Sequence, residues 1–262
     1  MAEGRIDYVA SGGIARLTLH QPEKLNAMSF DMWSSLPGLV ARAAVDESVR
    51  AIVVAGSGAR AFCSGADISQ FGEKRSDADG AGAYERAVTA GLAALSSGAK
   101  PTLARIEGVC FGGGLALALS CDLRLASDNA RFCLPAAKLG LGYAVPNVDF
   151  MVRRIGLGAA ADILYSARTF EAREAQRLGI VTNLFGAESF DAECEAYLAR
   201  VAGNAPLTLK AVALSLREMQ KVESAREASA ANEAVAACFV SEDYAEGRRA
   251  FAEKRAPVFK GR

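Results

Sequence analysis

The sequence predicts an α/β core followed by a helical C-terminal region, and three observations support this prediction. Apolar, strand-like runs alternate with glycine-bearing turns and helix-like segments as far as about residue 140. Two of the turns, at 61–68 and 112–114, come after strand-like runs at 51–55 and 101–106. After Gly140, most segments have the spacing of helices. We therefore expect an α/β core that carries the functional site over residues 1–200 and a helical region over 201–262.

The first 130 residues are expected to contain most of the strands. Two strands should form a hairpin around Ser11, Gly12 and Gly13. Ser29 is a candidate N-cap for a helix that reaches about residue 44, and Pro37 should kink or split this helix. The expected strands are 6–10, 14–19, 49–55, 101–106 and 123–126, the further helices are 84–95 and 114–120, and the small polar stretch 76–82 is expected to be mobile.

The second half of the chain is expected to be mainly helical. Gly156, Leu157 and Gly158 match part of a dinucleotide-binding fingerprint. Residues 150–154 are not a buried strand, however, and no well-placed acidic residue follows, so a loop between two helices is favoured. The expected helices are 159–166, 172–177, 190–202, 207–220, 226–239 and 241–253.

Composition argues against several classes of protein. Thirty basic residues balance thirty acidic ones, which does not suggest a nucleic-acid partner. No apolar run approaches the roughly 20 residues that span a membrane, and the first residues lack a signal-peptide core, so we expect a cytoplasmic protein. Six cysteines without a CxxC pair and one histidine, His20, do not predict a metal site. His20 is expected to have a structural role at a strand end.

The two glycine-bearing turns are the candidate functional site. Turns of this kind can aim backbone N–H groups at one point, and two converging N–H groups form an oxyanion hole. The triplet Gly112, Gly113 and Gly114 opens into a helix, whose positive end favours a partial negative charge. Tight packing of a helix against a strand also requires glycine, so a structural role remains an alternative. Asp67, which follows the first turn, is either a helix cap or a catalytic acid.

Several motifs in one order resemble the crotonase superfamily, also called the enoyl-CoA hydratase/isomerase family. They are Pro-Glu-Lys-Leu-Asn-Ala-Met at 22–28, Ala-Phe-Cys-Ser-Gly-Ala-Asp-Ile at 61–68, Gly-Val-Cys-Phe-Gly-Gly-Gly at 108–114, Ser-Cys-Asp-Leu at 120–123, Ser-Glu-Asp-Tyr-Ala-Glu-Gly at 241–247, and 251–259. The resemblance implies a spiral of ββα units with a helical trimerisation region, assembled as a homotrimer or a dimer of trimers. It implies an acyl-CoA substrate and no permanently bound cofactor, coenzyme A being part of the substrate.

The resemblance also implies roles for individual residues. The N–H groups of Ala66 and Gly113 would hold the thioester oxygen. Phe251 and Lys254 match positions that contact CoA from a neighbouring subunit, and the ammonium of Lys254 suits a phosphate. The other residues implied to line the CoA or the substrate are Lys24, Leu25, Ala27, Ala61, Gly65, Asp67, Ile68, Phe111, Gly112 and Pro135.

The chain departs from the family where the family places catalytic carboxylates. The two glutamates of the hydratases correspond to Ala116 and Ala136, and the aspartate of another branch corresponds to Ala144. A positioned acid or base contributes roughly 10²–10⁴-fold to a rate, so the loss of two argues against ordinary hydration. A lyase or isomerase reaction through an enolate-like intermediate is the favoured interpretation, and Asp149 is the nearest substitute carboxylate.

The sequence also leaves open a decarboxylase and two proteins without turnover. Residues 139–143 and 241–259 resemble the methylmalonyl-CoA decarboxylase branch, in which a tyrosine at the position of Tyr143 faces the substrate carboxylate. That branch has histidine where this chain has Ala66, and Tyr143 also fits a buried structural role. Without turnover, the chain would be an acyl-CoA-binding protein or a scaffold whose CoA pocket has closed.

Overall fold

The computed structural model describes residues 4–70 and 78–262, which form two β-sheets surrounded by helices. The first sheet has the strand order β1-β2-β3-β5-β7-β10, and the second has the order β4-β6-β8-β9. The first sheet contains β1 (Arg5–Ser11), β2 (Ile14–His20), β3 (Ala51–Gly56), β5 (Thr102–Ile106), β7 (Leu123–Ser127) and β10 (Asn183–Phe185). The second contains β4 (Ala61–Cys63), β6 (Val109–Phe111), β8 (Arg131–Cys133) and β9 (Phe170–Glu171).

The helices cover the sheets and then dominate the C-terminal part. Gly156 is the single residue between the fourth and fifth helices, as predicted for a loop between two helices. The α-helices are α1 (Phe30–Val45), α2 (Ala78–Ser97), α3 (Gly113–Ser120), α4 (Val145–Ile155), α5 (Leu157–Ser166), α6 (Ala172–Arg177), α7 (Phe190–Ala202), α8 (Pro206–Met219), α9 (Ser229–Phe239) and α10 (Glu242–Ala252).

Most of the predicted elements are confirmed, which establishes the α/β class. The β1–β2 pair is antiparallel around Gly12 and Gly13, and the remaining pairs of the first sheet are parallel. Ser29 caps α1 by accepting a hydrogen bond from Met32 N at 3.2 Å. The runs that predicted β3, β5 and β7 are largely buried in the parallel part of this sheet, where both faces are covered.

The structure corrects part of two expectations about local structure. Helix α1 is not split, because it runs through Pro37 and buries Met32, Trp33 and Leu36 in the core. This packing holds a helix together although proline removes one backbone hydrogen bond. Of the segment 76–82, residues 76 and 77 lie outside the described part, and 78–82 form the start of α2 rather than a mobile loop.

A buried ion pair joins α8 to the core, and hydrogen bonds hold the end of the chain against α10. Arg217 on α8 pairs with Asp122, which also accepts a hydrogen bond from Thr102 N at 2.9 Å. Asp243 accepts from the amides of Lys260 and Gly261 at 2.7 and 2.8 Å, so the end of the chain folds back onto α10. Within the described residues, no helix is both long and apolar enough to cross a bilayer.

Candidate active site

The two glycine-bearing turns meet at one edge of the second sheet. The first three residues of the segment 61–68 form β4, and the bend itself follows this strand. The second turn follows β6, and the two strands are parallel neighbours with Ala61 opposite Val109 and Cys63 opposite Cys110. The carboxyl ends of parallel strands lie at the same edge, where ligands of open α/β sheets bind. From the sequence, the apolar runs that form β3 and β5 were expected to lead directly into the turns. In the structure a further strand of three residues, β4 or β6, comes before each bend. These strands are too short to show a periodic pattern.

The turns are in direct contact beside Ala66 and Gly113. A Cβ atom built on Gly113 would lie 3.5 Å from Ala66 N, and one built on Gly65 would lie 3.4 Å from Gly113 N. Within residues 4–70 and 78–262, neither Ala66 N nor Gly113 N donates a hydrogen bond to a protein acceptor. Adjacent amides are paired, since Gly112 N donates to Cys133 O and Asp67 N donates to Met28 O, each at 2.9 Å. Two unpaired amides therefore lie next to each other in this site.

The three glycines of the triplet differ in how far the fold requires glycine at each position. Gly112 has a φ of 50°, a conformation that favours glycine. A Cβ on Gly114 would lie only 2.3 Å from Cys63 O, so this glycine is needed for close packing of α3 on β4. A Cβ on Gly113 would make ordinary contacts of 3.5 Å or more, and its φ is not positive. Close packing therefore explains why residue 114 is glycine, but it does not explain why residue 113 is glycine.

Asp67 stabilises the first turn and is a cap rather than an acid. Its Oδ1 accepts from Ser69 N at 3.1 Å and Ser69 Oγ at 2.7 Å, at the start of a short 3-10 turn (Ile68–Gln70). Its Oδ2 accepts from Lys24 Nζ at 2.7 Å and Gln21 Nε2 at 3.0 Å. Burial by itself raises the pKa of this carboxyl, but the hydrogen bonds from Lys24, Ser69 and Gln21 outweigh burial and lower the pKa to about 2. An ionised carboxylate cannot supply a proton.

We expect Asp67→Asn to destabilise the fold in a pH-dependent way. Because the pKa is lower in the folded chain than the ordinary 3.8, the carboxylate contributes stability above about pH 4 and loses it as the pH falls through about 2. The difference between the folded and the ordinary pKa corresponds to about 2 kcal/mol of folding stability at neutral pH. Urea unfolding at pH 7 and about pH 3 measures it, with the exposed Asp149→Asn as control. If Asp67→Asn changes the free energy of unfolding by the same amount at both pH values, this role of Asp67 is contradicted.

The loop after β2 brings the residues expected to line CoA against the first turn. Lys24 lies in a 3-10 turn (Pro22–Lys24), and Leu25 has a φ of 52°. Leu25 O accepts from Ser64 N at 3.0 Å, which ties this loop to the turn. Ala27 and Ala61 are buried, whereas Ile68 is 72% exposed beside the turn. The structure therefore brings the residues expected to line CoA together beside the first turn, although Ala27 and Ala61 offer little side-chain surface.

The second turn is bordered by the two positions to which the resemblance assigns catalytic glutamates. Pro135 begins a 3-10 turn (Pro135–Leu139), and its Cδ would lie 3.9 Å from a Cβ on Gly112. Phe111 and Ala116 are half-buried, at the end of β6 and within α3, while Ala136 is buried. The site thus contains methyl groups at the two positions that the resemblance assigns to carboxylates.

Tyr143 lines an apolar cavity next to Ala136. The cavity has a volume of about 300 Å³ and is also lined by Leu141, Val148 and Leu164. Burial raises the pKa of the Tyr143 hydroxyl above its usual range, so at neutral pH it remains protonated and able to donate. Asp149 is 2.8 Å from Arg153 on the exposed side of α4. This solvent-exposed pairing does not support Asp149 as a substitute carboxylate.

The C-terminal residues Phe251 and Lys254 lie within and just after α10. Phe251 is 87% exposed on α10 and borders a groove of about 450 Å³ with Tyr244 and Phe259. Lys254 follows the helix with a φ of 54°. Any role for these two residues at the site of another subunit remains a prediction.

Neither His20 nor Cys63 has the features of a catalytic residue at this site. His20 ends β2 with Nδ1 3.6 Å from Asp7 Oδ2, which fits the expected structural place. Burial raises the pKa of the Cys63 thiol to about 12, so this thiol is not an activated nucleophile. Among the described residues, no cluster of three His, Cys, Asp or Glu side chains has the arrangement of a metal site.

Sequence reasoning missed Trp33, the one tryptophan of the chain. It lies on α1 and is 1% exposed, and its Cζ2 would be 3.5 Å from a Cβ on Gly113. The sequence carries no sign that α1 passes behind the second turn. Only the packing of α1 against the sheets reveals this proximity.

Comparison with known proteins agrees with this architecture. A family model described as enoyl-CoA hydratase/isomerase matches residues 9–262. The chain is 31% identical over 246 residues to 2,3-dehydroadipyl-CoA hydratase of Escherichia coli K12, covering 94% of each chain. It is 33% identical over 257 residues to carnitinyl-CoA dehydratase of Proteus mirabilis, covering 96% of each. A crystal structure of an enoyl-CoA hydratase/carnithine racemase from Magnetospirillum magneticum superimposes with a TM-score of 0.93 at 32% identity, covering 100% of this chain and 97% of that one.

The two sheets and the paired turns at their edge define a protein of the crotonase fold, as the sequence predicted. The chain belongs to the enoyl-CoA hydratase/isomerase family. This membership places it among the enzymes that act on acyl-CoA thioesters.

Proposed function

We propose that this protein binds the thioester carbonyl of an acyl-CoA between the amides of Ala66 and Gly113 and stabilises an enolate-like intermediate. The observation that carries the proposal is the adjacency of two unpaired amides beside two alanines, Ala116 and Ala136. Amide donors in such a site contribute roughly 3–4 kcal/mol each to an oxyanion. A lyase or isomerase reaction that requires no carboxylate at 116 or 136 fits this arrangement better than hydration.

Loss of carbon dioxide from a malonyl-type thioester is a second candidate, favoured by Tyr143. Decarboxylation leaves the bonding electrons on the α-carbon, so no base is needed to remove a C–H proton, and the amides stabilise the resulting enolate. The protonated hydroxyl of Tyr143, in a cavity shared with Ala136, is a suitable donor to a substrate carboxylate. We also infer that a homotrimer or a dimer of trimers completes the site, with Phe251 and Lys254 of one subunit reaching the CoA of the next.

The proposal is tested by measuring binding and products separately. Isothermal titration with butyryl-CoA should show binding, and coenzyme A without an acyl group should bind more weakly. Mass spectrometry should show little hydration of crotonyl-CoA, and conversion of methylmalonyl-CoA to propionyl-CoA would identify the decarboxylase. Rapid hydration of crotonyl-CoA would contradict the interpretation of the two alanines. Absence of acyl-CoA binding would overturn the proposal, and binding without any turnover would leave an acyl-CoA-binding protein.

A further inference from the structure

The cavity beside Ala136 has no charged side chain in its lining. It lies between the 3-10 turn Pro135–Leu139 and the helices α4 and α5, and its volume is about 300 Å³. None of the described residues that line it is charged, and the polar side-chain atoms among them are the hydroxyls of Tyr143 and Tyr165. A charged group in such a cavity would lose hydration without gaining an ion pair. The cavity therefore suits a hydrocarbon better than a charged group.

The cavity leads from the hydrophobic core to an exposed apolar rim. Ala136 and Ala160 are buried, whereas the side chains at the rim are each more than half exposed: Leu141, Leu157 and Tyr165. The walls between them pack against the main hydrophobic cluster through Tyr143, Val152 and Leu164. Large apolar side chains exposed around an apolar cavity are typical of a ligand-binding site. A hydrocarbon chain bound there would cover apolar surface that the folded chain leaves open.

One end of the cavity lies next to the second turn. Pro135 borders this turn, since its Cδ would lie 3.9 Å from a Cβ on Gly112. The next residue, Ala136, lines the cavity. The resemblance assigns a glutamate to this position, and a carboxylate here would put a charge where the turn and the cavity meet. The methyl group of Ala136 instead gives an acyl chain an uncharged path from the turn into the cavity.

The volume of the cavity limits the length of such a chain. A water molecule occupies about 30 Å³ in the liquid and a methylene group is of similar size, so the cavity holds roughly ten methylene groups. An octanoyl chain fits within this limit. The space exists because four of the lining residues are small, namely Ala136, Ala137, Ala160 and Ala161.

We propose that this cavity holds the acyl chain of the substrate, and that the chain is uncharged and of medium length, close to an octanoyl group. This inference rests on the proposed binding of the thioester at the two turns and names the class of acyl group that binds there. Each methylene group transferred from water into an apolar site raises the affinity about fourfold. Chain length then determines which acyl-CoA binds best.

A series of thioesters tests both the length and the charge of the chain. In titration calorimetry, octanoyl-CoA should bind at least about tenfold more tightly than butyryl-CoA, with hexanoyl-CoA between them. Adipyl-CoA has the carbon number of hexanoyl-CoA and a terminal carboxylate, and it should bind at least about tenfold more weakly than hexanoyl-CoA. Equal affinity along the series, or for adipyl-CoA and hexanoyl-CoA, would overturn this inference and leave the proposed function intact. If no acyl-CoA binds, the proposed function itself fails.

Leu157→Glu locates the effect at the rim of the cavity. Leu157 is the exposed first residue of α5, where the helix dipole favours a carboxylate, so this variant should fold. Its affinity for octanoyl-CoA should fall about tenfold and that for butyryl-CoA less, because the charge faces the longer chain. Val145→Glu is the matched control, since Val145 is the exposed first residue of α4 and does not line the cavity. An equal loss in both variants would indicate general repulsion of CoA and contradict the inference, as would wild-type affinity in Leu157→Glu.

Ala161→Phe fills the cavity from one side. Ala161 is half-buried on α5 and lines the cavity, whereas Ala159 is half-buried on the same helix and does not. In Ala161→Phe the affinity for octanoyl-CoA should fall to about that for butyryl-CoA, and in the control Ala159→Phe the preference for the longer chain should remain. A folded Ala161→Phe protein that keeps the wild-type preference would exclude this cavity as the site of the acyl chain.

Discussion

Gly113→Ala is expected to remove acyl-CoA processing while the protein stays folded. The new methyl group would lie 3.5 Å from Ala66 N, where it would crowd an oxygen bound by that amide, and it would make no close contact with the backbone. Blocking one donor of an oxyanion hole lowers the rate by roughly 10²–10³-fold. Alanine is a better helix residue than glycine, so stability should be unchanged or up to about 1 kcal/mol higher. Steady-state kinetics, or titration with butyryl-CoA, together with urea unfolding measures both effects.

Gly114→Ala is the control for this substitution. It adds the same methyl group one residue later, but there the Cβ would lie 2.3 Å from Cys63 O and 2.7 Å from Cys63 Cβ. Overpacking of this kind typically costs about 1–3 kcal/mol, so this variant should be destabilised. The pair separates a functional glycine from a packing glycine. Wild-type binding and turnover in a folded Gly113→Ala protein would show that the space beside Ala66 N is not used.

The double substitution Ala116→Glu with Ala136→Glu is expected to create hydratase activity. The two positions border the second turn, and Ala136 opens onto the cavity of about 300 Å³, which leaves room for a longer side chain. A positioned acid or base contributes roughly 10²–10⁴-fold, so hydration of crotonyl-CoA should rise at least about 10²-fold over wild type. The rate is measured from the loss of enoyl-thioester absorbance, with the folded fraction checked by circular dichroism.

The corresponding glutamine pair, Ala116→Gln with Ala136→Gln, is the control for this gain. Glutamine has nearly the size of glutamate but cannot exchange a proton at neutral pH. Hydration in the glutamine variant should remain at the wild-type level. An equal gain in both variants would mean that side-chain size, not proton transfer, limits the reaction. If the glutamate pair hydrates crotonyl-CoA no faster than wild type, the two alanines do not limit hydration.

The sequence was sufficient for features that depend on neighbours in the chain. The hairpin of β1 and β2, the cap at Ser29 and the strand after Asp122 follow from alternation, turn residues and capping, which are local properties. The family motifs also identified the two turns, because their order and spacing lie in the sequence itself. The second sheet was not predicted, since strands of three residues such as Ala61–Cys63 and Val109–Phe111 are too short for a periodic signal.

By itself, the sequence determined the family, the α/β class and the absence of glutamate at 116 and 136, since these are properties of residue order and identity. The tertiary structure decided which glycine is needed for packing, that Asp67 is an ionised cap, and that Trp33 lies beside Gly113. Each of these depends on distances between atoms far apart in the chain, for instance those joining α1 to the turn after β6. Local propensity does not encode such distances, because they are set by how the sheets and helices pack together.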